Sequence, residues 1–177
     1  MADRTHRYAV KVIWTGNTGT GTETCRGYAR SHDIAASGKP TIAGSSDPAF
    51  RGDPARWNPE ELLVASLSAC HKLWFLGLCA QASIVVTAYE DAAEGEMTEE
   101  PDGAGQFTSV TLRPRVTISA TSDETKAMAL HHQAHAMCFI ARSVNFPVTA
   151  IPTIIRAENP AGPAHDCAPD HGPHTAA

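Results

Sequence analysis

Two cysteines stand where a thiol could do chemistry. Cys70 ends the stretch NPEELLVASLSAC at residues 58–70, and Cys138 lies in HHQAHAMCFIAR. A thiol attacks only as its thiolate, so a reactive cysteine needs a cation, a helix N-terminus or a metal beside it. Cys70 falls about three turns into its helix, beyond the reach of the N-terminal dipole. Its neighbours His71 and Lys72 point roughly 100° and 200° away around the helix, which leaves an arginine from another segment as the better source of charge. Glu60, in the first turn, carries a carboxylate able to hold such an arginine by a bidentate contact and aim it at the cysteine. The plainer readings stand beside these: Glu60 as a dipole-complementing residue, and Cys70 as a small buried hydrophobe.

In the second stretch, helical spacing puts Cys138 on one face with His131, His135 and Arg142. Three readings compete: a thiol in an electropositive setting, a metal site made of His131, His135 and Cys138, and an amphipathic helix with solvated histidines. The ligand types suit zinc, but a closed zinc site takes four ligands, and the helical zinc hydrolase motif places a Glu after its first His.

The five cysteines, Cys25, Cys70, Cys79, Cys138 and Cys167, are odd in number, widely spaced and without a C-x-x-C pair. That fits neither a secreted disulfide scaffold nor a zinc ribbon, and Cys79 in GLCAQ reads as a packing residue. The chain has 177 residues, 42% of them hydrophobic, enough for one core without staples. Its net charge of −5 has no Lys/Arg cluster to neutralise phosphates, so nucleic acid is not an expected partner. The N-terminal MADRTHRYAV lacks an apolar signal core, and the most apolar stretch, residues 62–80, contains Ser66, Ser68, His71 and Lys72. The expectation is a cytoplasmic protein with no membrane segment. There is no internal repeat, no G-x-G-x-x-G and no phosphate loop.

The elements that must position these groups are legible in outline. RYAVKVIWTG and CRGYAR predict a hairpin through a Gly/Thr turn, followed by a long connection over residues 31–57 with Pro40, Pro48 and Pro54. Asn58 as N-cap, Pro59 at the first position and Glu61 three residues past the cap specify a helix start. From Leu62 to Cys79 apolar residues fall on nearly every face, predicting a helix about 33 Å long and buried on most sides. A small domain struggles to surround such a helix, whereas two subunits covering each other would manage it. SIVVTAYED and QFTSVTLRPRVTIS read as strands joined by an acidic turn, with Pro114 marking a bulge or edge. A second helix is predicted from a capping box at Thr121 and Glu124 to about Val144, then a last strand through FPVTAIPTIIRA. The class is α+β, one domain over residues 1–157, with a Pro- and His-rich tail over 158–177 expected to be disordered.

NPEELLVASLSAC, Cys138 farther along in a helix before a final strand, and AHAMCFIARSVNFPV together resemble the OsmC/Ohr family of thiol-dependent peroxidases, over about residues 7–156 and nearest its OsmC-type subgroup. The resemblance implies an intertwined homodimer: two buried central helices wrapped by antiparallel-rich sheets from both chains, with active sites at the subunit interface. It implies Cys70 as the peroxidatic cysteine, Cys138 as the resolving one, and Glu60 as the carboxylate holding a catalytic arginine. In OsmC-type members that arginine stands just before a Phe upstream of the NPEEL segment. Here Ala49 precedes Phe50 and Arg51 follows, so Arg51 is the candidate, with Arg56 and then Arg26 behind it. The Cys-Pro of the second site is absent too, since Phe139 follows Cys138.

The implied activity is reduction of organic hydroperoxides to alcohols through a Cys70 sulfenic acid and a Cys70–Cys138 disulfide. The implied reductant is an external dithiol, dihydrolipoamide-like, with no bound cofactor or metal. Leu73, Trp74, Phe139 and Phe146 are the expected apolar walls of a substrate pocket. The alternative from another class is a non-catalytic dimeric binding module or redox sensor, with a small apolar ligand in the interface pocket.

Overall fold

The computed structural model describes residues 4–158. Two helices and nine short strands follow one another among these residues, a mixed α+β architecture as the sequence predicts. The expected disordered tail, apart from Glu158, lies outside the described residues.

The first helix, α1 (Pro59–Gln81), begins as its capping signals dictate. The Asn58 side chain accepts from the Glu61 N–H at 2.7 Å, and the Glu61 carboxylate accepts from the Asn58 N–H at 3.1 Å. This satisfies two otherwise orphaned donors and occupies Glu61, leaving Glu60 free for another partner. Leu67, His71, Phe75, Leu78 and Cys79 are buried along the inner face. The opposite face is not: Ala65, Ala69, Leu73 and Gly77, spaced by four, are exposed along it. The helix expected to be buried on most sides is thus bare on one of them within a single chain.

Six strands pack behind α1 in two three-stranded sheets. One is ordered β4 (Val86–Asp91), β7 (Pro114–Ile118), β9 (Thr153–Arg156); the other β5 (Glu94–Glu99), β6 (Gly105–Leu112), β8 (Val148–Ala150). Each strand of one sheet runs on into a strand of the other, β4 into β5, β6 into β7 and β8 into β9, so the pair is one ribbon bent at a corner. Asp91 pins that corner, accepting the Arg113 N–H at 2.7 Å and the Ser68 hydroxyl of α1 at 2.6 Å. The last strand, expected to be continuous, is therefore two pieces parted at Ile151 and Pro152, because it must change sheets where its neighbours do. The acidic turn expected from the sequence contains β5. Its residues EGEMTE are all exposed, so no alternation in the sequence marks them as a strand.

The bend divides the core in two. Phe75, Leu78, Cys79 and Ile84 pack with Val116, Ile118, Ala127 and Ala134 on one side; Leu67, Val110 and Leu112 pack with Phe107, Ile140 and Phe146 on the other. Burying side chains of this size stabilises by about 1.5–3 kcal/mol each relative to exposure. Cys70 lies on α1 between Leu67 and Phe75, where the two halves meet.

The second helix, α2 (Glu124–Met137), starts two residues later than the predicted box, capped by Asp123, whose carboxylate accepts from the Lys126 N–H at 3.0 Å. It also ends earlier than predicted. Cys138 has extended backbone angles and serves as its C-cap, and a separate 3-10 turn follows over Ala141–Ser143. Ile140, Ala141 and Val144 turn to the second core half, and the Ser143 hydroxyl donates to the Phe139 carbonyl at 2.7 Å, competing with helical continuation.

The N-terminal part forms a separate antiparallel sheet of β1 (Lys11–Trp14), β2 (His32–Ala35) and β3 (Ile42–Gly44). The predicted partner CRGYAR contributes only an isolated bridge, Tyr28 to Asn17. The Asn17 side chain accepts from the N–H groups of Gly19 and Gly21, both at positive φ, and this turn delays the returning strand to residue 32. The expected structureless connection of residues 31–57 instead carries β2, β3 and a 3-10 turn at Pro48–Phe50.

Candidate active site

Cys70 and Cys138 meet at the boundary between the core halves. Cys70 is partly exposed on α1, Cys138 is 1% exposed at the end of α2, both are free thiols, and Cys70 lies close enough to raise the proton affinity of Cys138. Burial pushes the Cys138 thiol up to about 11, with the Cys70 contact adding to it and the Ala141 N–H, 3.4 Å from Cys138 Sγ, opposing it. Cys138 therefore keeps its proton near neutral pH. The arrangement is asymmetric: a partly exposed sulfur able to meet a solute, and behind it a buried thiol in reach of that sulfur.

The remaining expected residues divide into those near this pair and those elsewhere. Trp74, one helical turn past Cys70, and Phe139, directly after Cys138, contact each other edge to face, ring centroids 5.6 Å apart. Leu73 and Phe139 are each 66% exposed, so they offer apolar surface rather than an enclosed wall in the single chain. Phe146 is not a wall of this pocket. It packs on Phe107 at 5.4 Å in the second core half.

None of the three candidate arginines contacts Glu60 or Cys70 within the chain. Arg51, in the left-handed region at φ 65°, donates to the Cys25 carbonyl at 3.0 Å. Arg56 faces Asp33 and Asp53 at 3.8 and 3.6 Å, and Arg26 is exposed. The upstream loop folds onto its own N-terminal sheet, a long-range preference that spacing from NPEEL does not encode. Glu60 nevertheless has a buried carboxylate oxygen without a partner. It lines a cleft of about 720 Å³ with Trp57, Val64, Lys72, Met97 and Phe107, on the side of α1 away from Cys70.

The predicted polar stripe of α2 is split by packing. His131 is buried, whereas His135 and Arg142 are exposed, so the three candidate metal ligands do not converge. Among the described residues no group of three or more His, Cys, Asp or Glu side chains is placed to hold a metal ion.

His131 instead meets His71, a pairing of residues far apart in the sequence that no local signal announced. His71 Nε2 and His131 Nδ1 are 3.0 Å apart, and the other nitrogen of each ring is buried without a partner. Phe75 stacks on His131 at 3.8 Å between centroids. Burial lowers the proton affinity of both rings, that of His131 to about 3, so His71 is a neutral neighbour of Cys70 rather than its cation. The unfolded chain takes up protons on these rings below about pH 6.5 and the folded chain resists doing so. Their contribution is thus complete at pH 7 and lost as pH falls toward the folded values, by up to about 1.4 kcal/mol per pH unit for each ring. Urea midpoints are expected to drop from pH 7 to pH 5, with a shallower slope in His131→Asn; equal slopes would mean the pair does not control acid stability.

The family model described as OsmC-like protein matches residues 52–151. An OsmC-like protein of unknown function from Vibrio cholerae O1 biovar eltor is 33% identical, with 84% of this chain and 100% of that one covered and a TM-score of 0.76. An organic hydroperoxide resistance protein from Elizabethkingia anophelis shares the fold at 16% identity, covering 87% of this chain and 100% of that one, TM-score 0.61. So does a putative organic hydroperoxide resistance protein from V. cholerae with captopril bound in one of its active sites, at 16% identity, 86% and 95% coverage and TM-score 0.59. The search of curated proteins gave no match. With more than half its length matched by the family model and 33% identity to a structural relative over 84% of its length, the chain belongs to the OsmC-like protein family.

Proposed function

We propose that the protein is a cysteine-based peroxidase that reduces organic hydroperoxides to alcohols. The observation carrying this reading is the nearness of a partly exposed Cys70 to a buried Cys138. The Cys70 thiolate attacks the O–O bond, taking one oxygen as sulfenic acid while the other leaves as alkoxide and is protonated to the alcohol. The Cys138 sulfur then displaces that hydroxyl: the S–S bond forms, the S–O bond breaks, and the Cys138 proton leaves with it as water. A dithiol restores both thiols by exchange and is itself oxidised to a disulfide.

In the same reading the working unit is a homodimer. The bare stripe of Ala65, Ala69, Leu73 and Gly77 and the exposed Tyr8, Val10, Val12 and Trp57 of the N-terminal part are apolar surface for a second copy to cover. The unpartnered oxygen of Glu60 is then available to a cation brought by that copy, the role Arg51 does not fill within the chain. A monomeric mass in solution would overturn this part. Apolar Leu73 and Phe139 beside the thiols favour a substrate with a hydrocarbon body. The test is consumption of cumene hydroperoxide and of hydrogen peroxide by the purified protein with dihydrolipoamide as reductant. Faster turnover of the organic peroxide is expected, and no turnover with any dithiol would sink the reading.

A further inference from the structure

We infer that His71 and His131 form a positioning pair that locks α2 against α1 in the one register that keeps Cys138 on Cys70, and so governs disulfide formation rather than the attack on peroxide. The inference rests on the reaction proposed above. Its starting point is that the pair is a poor device for stability alone. Both rings are nearly fully buried, and each retains a nitrogen without a partner. In either tautomeric arrangement one of those orphans is a donor and the other an acceptor, and leaving such groups unmade costs about 1–3 kcal/mol each. Apolar side chains of the same shape would hold the helices together without that penalty.

What an apolar contact would not supply is direction. The 3.0 Å bond runs between the rings in their common plane, tilted by only 8°, while Phe75, one turn beyond His71, covers the face of His131 at 13°. His131 is therefore fixed along its edge and across its face by two residues of α1. His71 directly follows Cys70, and Cys138 lies about two turns beyond His131, on the same buried stripe as Ala127 and Ala134. A slip of α2 by one residue would carry Cys138 about 1.5 Å along and 100° around the helix axis, off the Cys70 sulfur. Disulfide formation requires that sulfur to close to about 2 Å with a defined dihedral, so it is far more sensitive to register than the reaction of an exposed thiolate with a free solute.

The experiment follows the reduced full chain after one equivalent of cumene hydroperoxide, reading peroxide loss and Cys70–Cys138 disulfide formation separately. In His131→Leu, disulfide formation is expected to slow by about tenfold to a hundredfold while peroxide loss stays within about twofold. His131→Asn, whose side-chain oxygen can accept from His71 Nε2, is expected to restore most of the disulfide rate. Wild-type disulfide formation in folded His131→Leu, or a parallel fall of both rates, would overturn the inference. If His131→Leu does not fold, the double variant His71→Leu/His131→Leu, in which no orphan nitrogen remains, is judged by the same two rates. Oxidation by diamide is run in parallel, because its second step needs the same cysteine geometry and no peroxidase activity. Failure with the hydroperoxide alone would count against the peroxidase reading; an unchanged diamide-driven disulfide rate in the variants would count against the histidine pair.

Discussion

Replacing Cys70 with serine is expected to reduce hydroperoxide consumption by at least about a thousandfold, the scale of loss when a nucleophile is removed from a site that otherwise survives. The hydroxyl is smaller, stays protonated at neutral pH and does not accept an oxygen atom. The fold should tolerate the change, because Cys70 is partly exposed and serine keeps nearly the same shape. Peroxide consumption and the urea midpoint, measured on the same preparation, separate the two effects. Residual consumption close to that of the native chain would remove Cys70 from the chemistry and turn attention to exposed Cys25.

Cys138→Ser is expected to fail in a different way: one peroxide consumed per chain, then arrest. The attacking sulfur remains, but the buried thiol that would displace the hydroxyl from the sulfenic acid is gone. A small monothiol at high concentration should restart turnover by taking that place. The measurement is peroxide consumed per chain in the first turnover and afterwards, and continued native turnover would show that the external reductant attacks the sulfenic acid directly. The depth of the arrest also reports how well solvent reaches Cys70, since a stalled sulfenic acid open to excess peroxide proceeds to the sulfinic acid.

The parts of this molecule that the sequence reveals are those set by neighbours along the chain. Asn58, Pro59 and Glu61 specify the start of α1 because a capping box is complete within four residues, and its hydrogen bonds form as the spacing requires. The exposed β5 has no such signature: EGEMTE becomes a strand through pairing with β6, not through its own pattern. The end of α2 is not legible in the sequence because Phe139, Ile140 and Ala141 are compatible with a helix, and only packing around the bend redirects this segment. The meeting of Cys70 and Cys138 was suggested by resemblance to a family; no spacing rule places residues of two different helices together. Arg51 shows the opposite case, a residue assigned by its position near a motif and held elsewhere by the Cys25 carbonyl. The His71–His131 bond is a third kind, in which both residues carry chemistry visible in the sequence and their partnership appears only in three dimensions.

The bent ribbon has a consequence for the order in which the protein is made. Its third strand in both sheets, β8 and β9, comes from residues 148–156, paired in parallel with β6 and β7. While the ribosome is still adding that segment, each sheet lacks its third strand, and α2 has only a partial surface on which to settle. Closing these late pairings requires bringing together segments well separated along the chain, which slows them relative to the local winding of α1. During synthesis Cys70 is thus an ordinary thiol on a nascent helix. It acquires its neighbour, and with it the ability to form a disulfide within the chain, only when nearly the whole domain has emerged.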